Sequence, residues 1–80
     1  MSKEILLFSS NTCAPCEQVK NRINENAEKY LNFKILDVEK DFQEFIKHKV
    51  SGVPTFVVLE NNVEVKRKVG IKNLKDLEEL

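Results

Sequence analysis

The only two cysteines of this 80-residue chain stand three positions apart, as Cys13-Ala14-Pro15-Cys16. An apolar run precedes them and a helical pattern follows, so both thiols are predicted at the first turn of a helix. Thiols in that position can close a disulfide with each other or pass it to another protein. The free N–H groups and partial positive charge of a helix start favour the thiolate, which is the nucleophile of disulfide exchange.

A metal site and a pair of buried thiols are the alternative interpretations of these cysteines. Structural zinc takes about four ligands, whereas Cys13 and Cys16 supply two and His48, the only histidine, at most a third. We therefore expect no metal and no other bound cofactor. The expected redox group is the Cys13–Cys16 disulfide. His48 is expected at a solvated helix end.

The bulk composition fits one soluble domain over residues 1–80. Thirteen basic residues balance thirteen acidic ones, and zero net charge gives no electrostatic case for nucleic acid or a membrane surface. The apolar stretch Ile5–Phe8 is shorter than the ~7–15 residues of a signal-peptide core, and no run reaches the ~20 of a membrane span. We expect a cytoplasmic monomer, a setting in which a paired C-x-x-C is redox-active or metal-binding.

The apolar pattern predicts the order β-α-β-α-β-β-α. The continuous run Ile5–Phe8 indicates a central strand that is covered on both faces. A helix of about four turns follows, and its apolar stripe is Cys16, Val19, Ile23, Ala27 and Tyr30. We expect the Tyr30 hydroxyl to reach the surface. Asn11 or Thr12 is the expected N-cap of this helix.

The second half of the chain predicts three strands and two shorter helices. The strands are Phe33–Asp37, Pro54–Leu59 and Val63–Val69, the last two joined by a turn at Glu60-Asn61-Asn62. The second helix is expected to bury Phe42, Phe45 and Ile46. On the edge strand, one face is expected to be buried and to carry Val63, Val65, Arg67 and Val69. A last helix is expected after Asn73, with an apolar stripe of Leu74, Leu77 and Leu80. The result is an α/β fold, a four-stranded mixed sheet with helices on both faces.

Val53-Pro54-Thr55 is the second landmark. A proline at the start of a buried strand removes a ladder donor. A cis Val53–Pro54 bond that forms a tight bend would account for it, and a trans proline at a strand start is the alternative. The residues alone leave both possibilities open.

Taken together, Thr12-Cys13-Ala14-Pro15-Cys16, Gly52-Val53-Pro54-Thr55-Phe56 and the ending Lys68-Val69-Gly70 resemble the thioredoxin superfamily in a small, glutaredoxin-sized form. The resemblance implies the thioredoxin fold and a protein-disulfide oxidoreductase with Cys13 as nucleophile and Cys16 as resolving thiol. It also implies that Pro54 is cis, lies beside the cysteines and keeps metal away from them.

The resemblance further implies how substrates dock and who the partners are. The backbone of Val53 would pair with an extended segment of a disulfide-containing protein. Thr12, Ala14, Pro15 and Gly70 would shape the same surface, with the Thr12 hydroxyl bonding a sulfur or capping the helix. A flavoprotein disulfide reductase would reset the disulfide, and ribonucleotide reductase is the leading substrate candidate.

Three departures from the family pattern keep alternatives open. Thr12 replaces the tryptophan common before the first cysteine, and Leu7 replaces a buried aspartate whose partner lysine would correspond to Phe33. The Gly-Gly-x-Asp segment that holds glutathione in glutaredoxins is replaced by Gly70-Ile71-Lys72-Asn73. The alternatives are a glutathione-dependent glutaredoxin, which could also bridge a cluster, and a redoxin-fold binding module without turnover.

Overall fold

Four strands form one mixed sheet in the computed structural model, which describes residues 3–70 together with Leu77 and Leu80. The elements are β1 (Lys3–Ser9), α1 (Ala14–Glu25), β2 (Phe33–Asp37), α2 (Phe42–Lys47), β3 (Thr55–Glu60) and β4 (Val63–Val69). The predicted last helix lies outside the described residues, apart from Leu77 and Leu80.

The strand order is β2-β1-β3-β4, so β1 and β3 occupy the centre of the sheet. β2 runs parallel to β1, and β3 runs antiparallel to it. The predicted mixed sheet is confirmed. Because β1 and β3 run antiparallel, the carboxyl end of β1 lies beside the beginning of β3, and Phe8 pairs with Thr55 there.

Successive side chains of β1 point to opposite faces of the sheet and pack into two separate apolar clusters. Ile5 and Leu7 pack on the α1 side, in a cluster that also contains Val19, Ile23, Tyr30, Phe56, Val58 and Leu77. Leu6 and Phe8 pack on the α2 side, with Leu36, Phe45, Val57 and Leu59. Because both faces are covered, an uninterrupted apolar run was the correct signature of this strand.

The first helix is shorter than its apolar stripe predicts. It ends at Glu25, and Asn26 caps it by donating its backbone N–H to the Ile23 carbonyl and its side-chain amide to the Arg22 carbonyl. Ala27 is therefore exposed outside the helix. The prediction for Tyr30 was also wrong: the residue is 5% exposed, and its hydroxyl is buried without a hydrogen-bond partner in the described part of the chain.

The second helix buries one of its three predicted core residues. Phe45 is 6% exposed, whereas Phe42 and Ile46 are 57% and 62% exposed. A helix of six residues makes less than two turns, so only the side chain in the middle of its inner face reaches the sheet. The predicted burial of Phe42 and Ile46 is wrong.

The predicted hairpin between β3 and β4 is confirmed, with Asn61 and Asn62 as its loop. Both residues have positive φ, 53° and 69°, as a tight two-residue hairpin of the mirror-image type requires. Further along, Glu64 pairs with Leu59 and Lys66 with Val58, which leaves Val65 as an extra residue in a bulge.

The bulge reverses the alternation of β4, so the predicted single apolar face does not exist. Val63 lies opposite Glu60 on the α1 side, whereas Val69 lies opposite Thr55 on the α2 side. Val63, Val65 and Val69 are 62%, 54% and 72% exposed, which contradicts their predicted burial.

Arg67 fastens this edge strand to the end of α2. Its guanidinium donates to the Glu64 carboxylate at 2.8 and 2.9 Å and to the backbone carbonyls of His48 and Lys49. Carbonyls at a helix end lack intrahelical partners, so a cation there completes their hydrogen bonding. The same bulge brings Glu64 and Arg67 to one face of β4.

The pH dependence of stability tests this contact. Hydrogen bonds from Arg67 hold the pKa of Glu64 below its ordinary value of 4.5. A carboxyl whose pKa is lower in the folded state adds stability above its unfolded pKa and loses it as the pH falls through the folded pKa. We expect Glu64→Gln to lower Tm by about 3 °C at pH 7, since exposed pairs are weak.

The difference between Glu64→Gln and the wild type is expected to close as thermal scans move from pH 5 to pH 2. Glu60→Gln is the matched control, because it removes an exposed carboxylate elsewhere in the same hairpin. A Glu64→Gln difference that stays constant down to pH 2 would contradict the assignment.

Candidate functional site

The two cysteines lie where β1 gives way to α1, and they form a disulfide with their Cα atoms 5.2 Å apart. Cys13 is the N-cap of the helix, with extended backbone angles of −101° and 110°, and Cys16 lies in its first turn. Cys13 is half-buried, whereas Cys16 has 0% exposure. Only Cys13 is therefore accessible to a partner's sulfur.

Hydrogen bonds made by Cys13, rather than by the predicted N-caps Asn11 and Thr12, hold the backbone around the two cysteines. Cys13 Sγ accepts the N–H of Cys16 at 3.2 Å, and the N–H of Cys13 donates to the Ser10 carbonyl at 3.3 Å. Pro15 lies in the first turn, where its missing N–H costs nothing. A sulfur that accepts a backbone N–H in this way is stabilised when it carries negative charge.

Thr12 performs neither role expected of it. Its hydroxyl pairs with the Ser10 hydroxyl at 3.1 Å, and the same Ser10 oxygen accepts the N–H of Thr12. The helix is capped by Cys13, so the prediction of Thr12 or Asn11 as N-cap is wrong. Sequence reasoning missed Ser10, although a serine three residues before the first cysteine is a common turn-forming residue.

The Pro54 segment lies at the same end of the sheet as the cysteine loop. Its bond to Val53 is cis, as the resemblance implied. Pro54 is buried and Val53 is 36% exposed. The next residue, Thr55, pairs with Phe8 near the end of β1, four residues before the loop reaches Thr12. The Thr55 hydroxyl donates to the Gly52 carbonyl at 2.7 Å.

Gly70 joins this end of the sheet through a backbone hydrogen bond. Its N–H donates to the Pro54 carbonyl at 2.7 Å, and its φ is +79°. Ala14 and Pro15, which stand between the two cysteines, are exposed. The structure thus gathers the cysteine loop, the Val53-Pro54 bend and Gly70 at one end of the sheet.

Comparison with known proteins agrees with this arrangement. The family model described as Thioredoxin matches residues 2–80. The chain belongs to the thioredoxin family. Its fold and its cysteine pair are those of a thiol–disulfide oxidoreductase.

Individual thioredoxins show how far the similarity extends. Thioredoxin Asp f 28 of Aspergillus fumigatus is 29% identical over 75 residues, which cover 91% of this chain and 69% of that protein. Thioredoxin-1 of Drosophila yakuba is 37% identical over 62 residues, covering 72% of this chain and 57% of that protein. The chain therefore spans between about half and two thirds of the length of such relatives.

Superposition on solved structures shows that the backbone also matches that of thioredoxins. The thioredoxin of Fasciola hepatica superposes with a TM-score of 0.85 at 26% identity, over 98% of this chain and 76% of that one. A thioredoxin of Schistosoma mansoni gives 0.83 at 28% identity, over 98% and 74%. The fold is that of thioredoxin, in a chain shorter than either.

The residue six positions before Cys13 is buried and apolar in this chain. Leu7 has 0% exposure and pairs with Ile35 on β2 and Phe56 on β3. Phe33 lies opposite Ile5 and packs against the same apolar cluster that contains Leu7.

No carboxylate replaces the missing one inside the described part of the chain. There the buried polar residues are Ser9 and Thr55. The Ser9 hydroxyl donates to the Leu36 carbonyl, and the Thr55 hydroxyl to that of Gly52. Both hydroxyl protons are therefore already engaged in hydrogen bonds.

His48 lies away from the cysteines, at the end of α2. Its ring packs against Phe8 with centroids 5.7 Å apart, and its Nε2 lies 3.6 Å from the Glu44 carboxylate. The side chain is 14% exposed, so the expectation of a solvated residue is wrong. Within residues 3–70, no group of three or more His, Cys, Asp or Glu is positioned to hold a metal ion.

None of the helices described here combines the length and the hydrophobicity that a membrane crossing demands.

The two glycines of the site make a matched pair of stability variants. A Cβ at either Gly52 or Gly70 would meet nothing within 4 Å, but only Gly70 has a positive φ. We expect Gly70→Ala to lower the free energy of unfolding by about 1 kcal/mol through backbone strain alone. Gly52→Ala is expected to be neutral or slightly stabilising. Urea denaturation measures both, and equal effects would contradict the assignment.

Proposed function

We propose that this chain reduces disulfides in other proteins, with Cys13 as the attacking nucleophile and Cys16 as the resolving thiol. The observation that carries the proposal is the asymmetry of the pair. Cys13 is half-buried at a helix N-terminus and accepts a backbone N–H, whereas Cys16 is fully buried behind it. The first sulfur can be reached from outside, and the second can reach only the first.

In the first step, the Cys13 thiolate attacks one sulfur of a substrate disulfide. A bond forms between Cys13 and that sulfur while the substrate S–S bond breaks, and the other substrate sulfur leaves as a thiolate that takes up a proton. The N–H of Cys16, 3.2 Å from Cys13 Sγ in the oxidised form, favours the attacking thiolate.

In the second step, Cys16 loses its proton and attacks the Cys13 sulfur. The intramolecular disulfide forms, the mixed disulfide breaks, and the remaining substrate sulfur leaves as a thiolate and is protonated. Two electrons have then passed to the substrate. Because the buried polar residues of the described chain are Ser9 and Thr55, whose hydroxyls already donate to carbonyls, we propose that water or a group of the bound substrate accepts the Cys16 proton.

The segment before Pro54 is the proposed docking edge. Val53 is partly exposed and precedes the bend, so its backbone can pair with an extended segment of the substrate. Thr12, Ala14, Pro15 and Gly70 would border that segment. The hydrogen bond from the Gly70 N–H to the Pro54 carbonyl holds Gly70 against the bend that carries this surface.

Further proposals concern partners and setting. A flavoprotein disulfide reductase would return the Cys13–Cys16 disulfide to the dithiol in the cytoplasm, where thiols are kept reduced. Ribonucleotide reductase is the proposed substrate protein. No cofactor is required for the exchange itself, since both electrons reside in the cysteine pair. The chain would act as a monomer.

Substitution of the two cysteines separates their roles. Cys13→Ser is expected to abolish reduction of insulin disulfides by dithiothreitol-coupled turnover, because the only accessible sulfur is lost. Turbidity of precipitating insulin chains measures the rate. Retention of more than a small fraction of wild-type activity would contradict Cys13 as nucleophile.

Cys16→Ser is expected to stop the reaction at the mixed disulfide between Cys13 and the substrate. Non-reducing electrophoresis and intact mass spectrometry would detect the adduct, and dithiothreitol would release it. The wild type is expected to resolve this adduct. If Cys16→Ser does not accumulate it, Cys16 is not the resolving thiol.

The electron donor is tested with two NADPH-coupled assays on the wild-type chain. We expect NADPH oxidation with thioredoxin reductase, and none with glutathione and glutathione reductase, because the glutathione-binding segment is replaced at Gly70-Ile71-Lys72-Asn73. Activity with glutathione alone would identify a glutaredoxin. Activity with neither donor, nor with dithiothreitol, would favour a binding module.

A further inference from the structure

Segment 50–53, which leads from α2 to the bend at Pro54, has little packing of its own. Ser51, Gly52 and Val53 are exposed, and a Cβ added at Gly52 would meet nothing within 4 Å. An exposed segment with few packed neighbours takes its position from the residues that hold its two ends. The Val53 backbone is proposed to pair with a substrate, so these two anchors affect how a substrate is received.

Strand β4 supplies both anchors. At the carboxyl end of the segment, the Gly70 N–H donates to the Pro54 carbonyl at 2.7 Å. At the amino end, the Arg67 guanidinium donates to the carbonyls of His48 and Lys49, which precede the segment directly. The first anchor is a hydrogen bond between backbone groups, whereas the second depends on the arginine side chain.

The amino end needs an anchor because α2 ends in a strained turn. The N–H of Lys49 donates to the Ile46 carbonyl at 3.1 Å, and that of Val50 donates to the Phe45 carbonyl at 2.8 Å. These two hydrogen bonds form a Schellman motif, in which the residue after the helix cap is left-handed and is usually glycine. Here that residue is Lys49, with a φ of +56°. A lysine in this conformation is strained because its Cβ comes close to the following carbonyl oxygen.

Arg67 is oriented to hold this turn. Its guanidinium donates to both oxygens of the Glu64 carboxylate, at 2.8 and 2.9 Å, and this two-bond contact fixes the plane of the group. Other N–H groups of the same plane reach the His48 and Lys49 carbonyls. The His48 ring packs against Phe8 with centroids 5.7 Å apart. The end of α2 is therefore held by a side chain of β4 and by one of β1.

We propose that Arg67 is a positioning residue for disulfide exchange with polypeptides. It stabilises the left-handed turn at Lys49 and so fixes segment 50–53 where the Val53 backbone can pair with a substrate. The inference rests on the proposed function and adds to it a residue of β4, a strand that carries neither cysteine. Attack on a small disulfide needs no backbone pairing, so the role of Arg67 is confined to polypeptide substrates.

Two disulfides of different size separate positioning from general damage. The chain is first reduced with dithiothreitol and desalted, so no reductase is needed. Insulin tests exchange with a polypeptide, and alkylation of the remaining thiols followed by intact mass spectrometry gives the rate of oxidation of the chain. Dithiobis(nitrobenzoate) tests attack by the Cys13 sulfur on a small disulfide, and the absorbance of released thionitrobenzoate gives that rate. Circular dichroism confirms that each variant is folded at the assay temperature.

We expect Arg67→Gln to slow the reaction with insulin about fivefold and to leave the reaction with dithiobis(nitrobenzoate) unchanged. Lys66→Gln is the matched control. Lys66 lies opposite Val58, on the α1 side of β4, so this variant removes one positive charge from the same strand without altering the contacts at the end of α2. Its rate with insulin should stay at the wild-type value.

A second substitution, at Lys49, tests the route through the turn. Lys49→Gly removes the strain, because glycine takes left-handed backbone angles without a steric cost. Added to Arg67→Gln, it should return the rate with insulin to within about twofold of the wild type. Lys49→Gln in the same background removes the same charge but keeps a Cβ, so it should not restore the rate.

Each contrary result has a distinct meaning. If Arg67→Gln reacts with insulin as fast as the wild type, or slows both disulfides equally, Arg67 does not position the segment and the inference is wrong. If Lys49→Gly restores the rate of Arg67→Gln no better than Lys49→Gln does, the strained turn is not the route and the inference is overturned. If the wild-type chain does not react with insulin, the proposed function itself fails.

Discussion

The antiparallel pairing of β1 with β3 is the constraint on which the site depends. It places the start of β3 beside the end of β1, with Phe8 opposite Thr55. The loop that leaves β1 carries Cys13, and the bend that enters β3 carries Pro54, so one register brings together residues some forty positions apart. The apolar run of β1 makes this possible, since its side chains fill both clusters and hold the strand in the middle of the sheet.

The β4 edge of the sheet is held by polar contacts rather than by apolar burial. β4 exposes its valines, and its bulge turns Glu64 and Arg67 to the same face. Arg67 then binds the carbonyls at the end of α2, where the chain turns toward Ser51–Val53. A short helix that contributes one buried side chain, Phe45, is thereby held in place from its carboxyl end. Its remaining apolar side chains stay available at the surface.

The apolar interior around Leu7 has a chemical consequence. Leu7 and Ile35 occupy neighbouring positions on β1 and β2, and the buried hydroxyls of Ser9 and Thr55 donate to backbone carbonyls. An apolar contact of this kind stabilises the core without the cost of burying a charge. Under the proposed mechanism, the Cys16 proton is accepted by water or by a group of the bound substrate.

Much of this molecule could be predicted from sequence because its strongest signals are local. The spacing of Cys13 and Cys16 and the turn at Asn61-Asn62 reflect contacts within a few residues, and both the disulfide and the hairpin are present. The apolar run of β1 predicted a central strand because a strand covered on both faces needs no polar alternation. The extents of burial were not predictable in the same way. Tyr30, Phe42, Ile46 and the valines of β4 have apolar patterns that fit a core, but whether a side chain reaches the core depends on what packs against it.

Spacing along the chain was enough to place two thiols at a helix start and a proline where a central strand is entered. Tertiary structure decided which of those thiols is accessible, that the Val53–Pro54 bond is cis, and that Cys13 rather than Thr12 caps the helix. It also brought the cysteine loop, the Pro54 bend and Gly70 to the same end of the sheet. The physical reason is that accessibility and proximity arise from strand register and packing between distant segments, which no spacing along the chain contains.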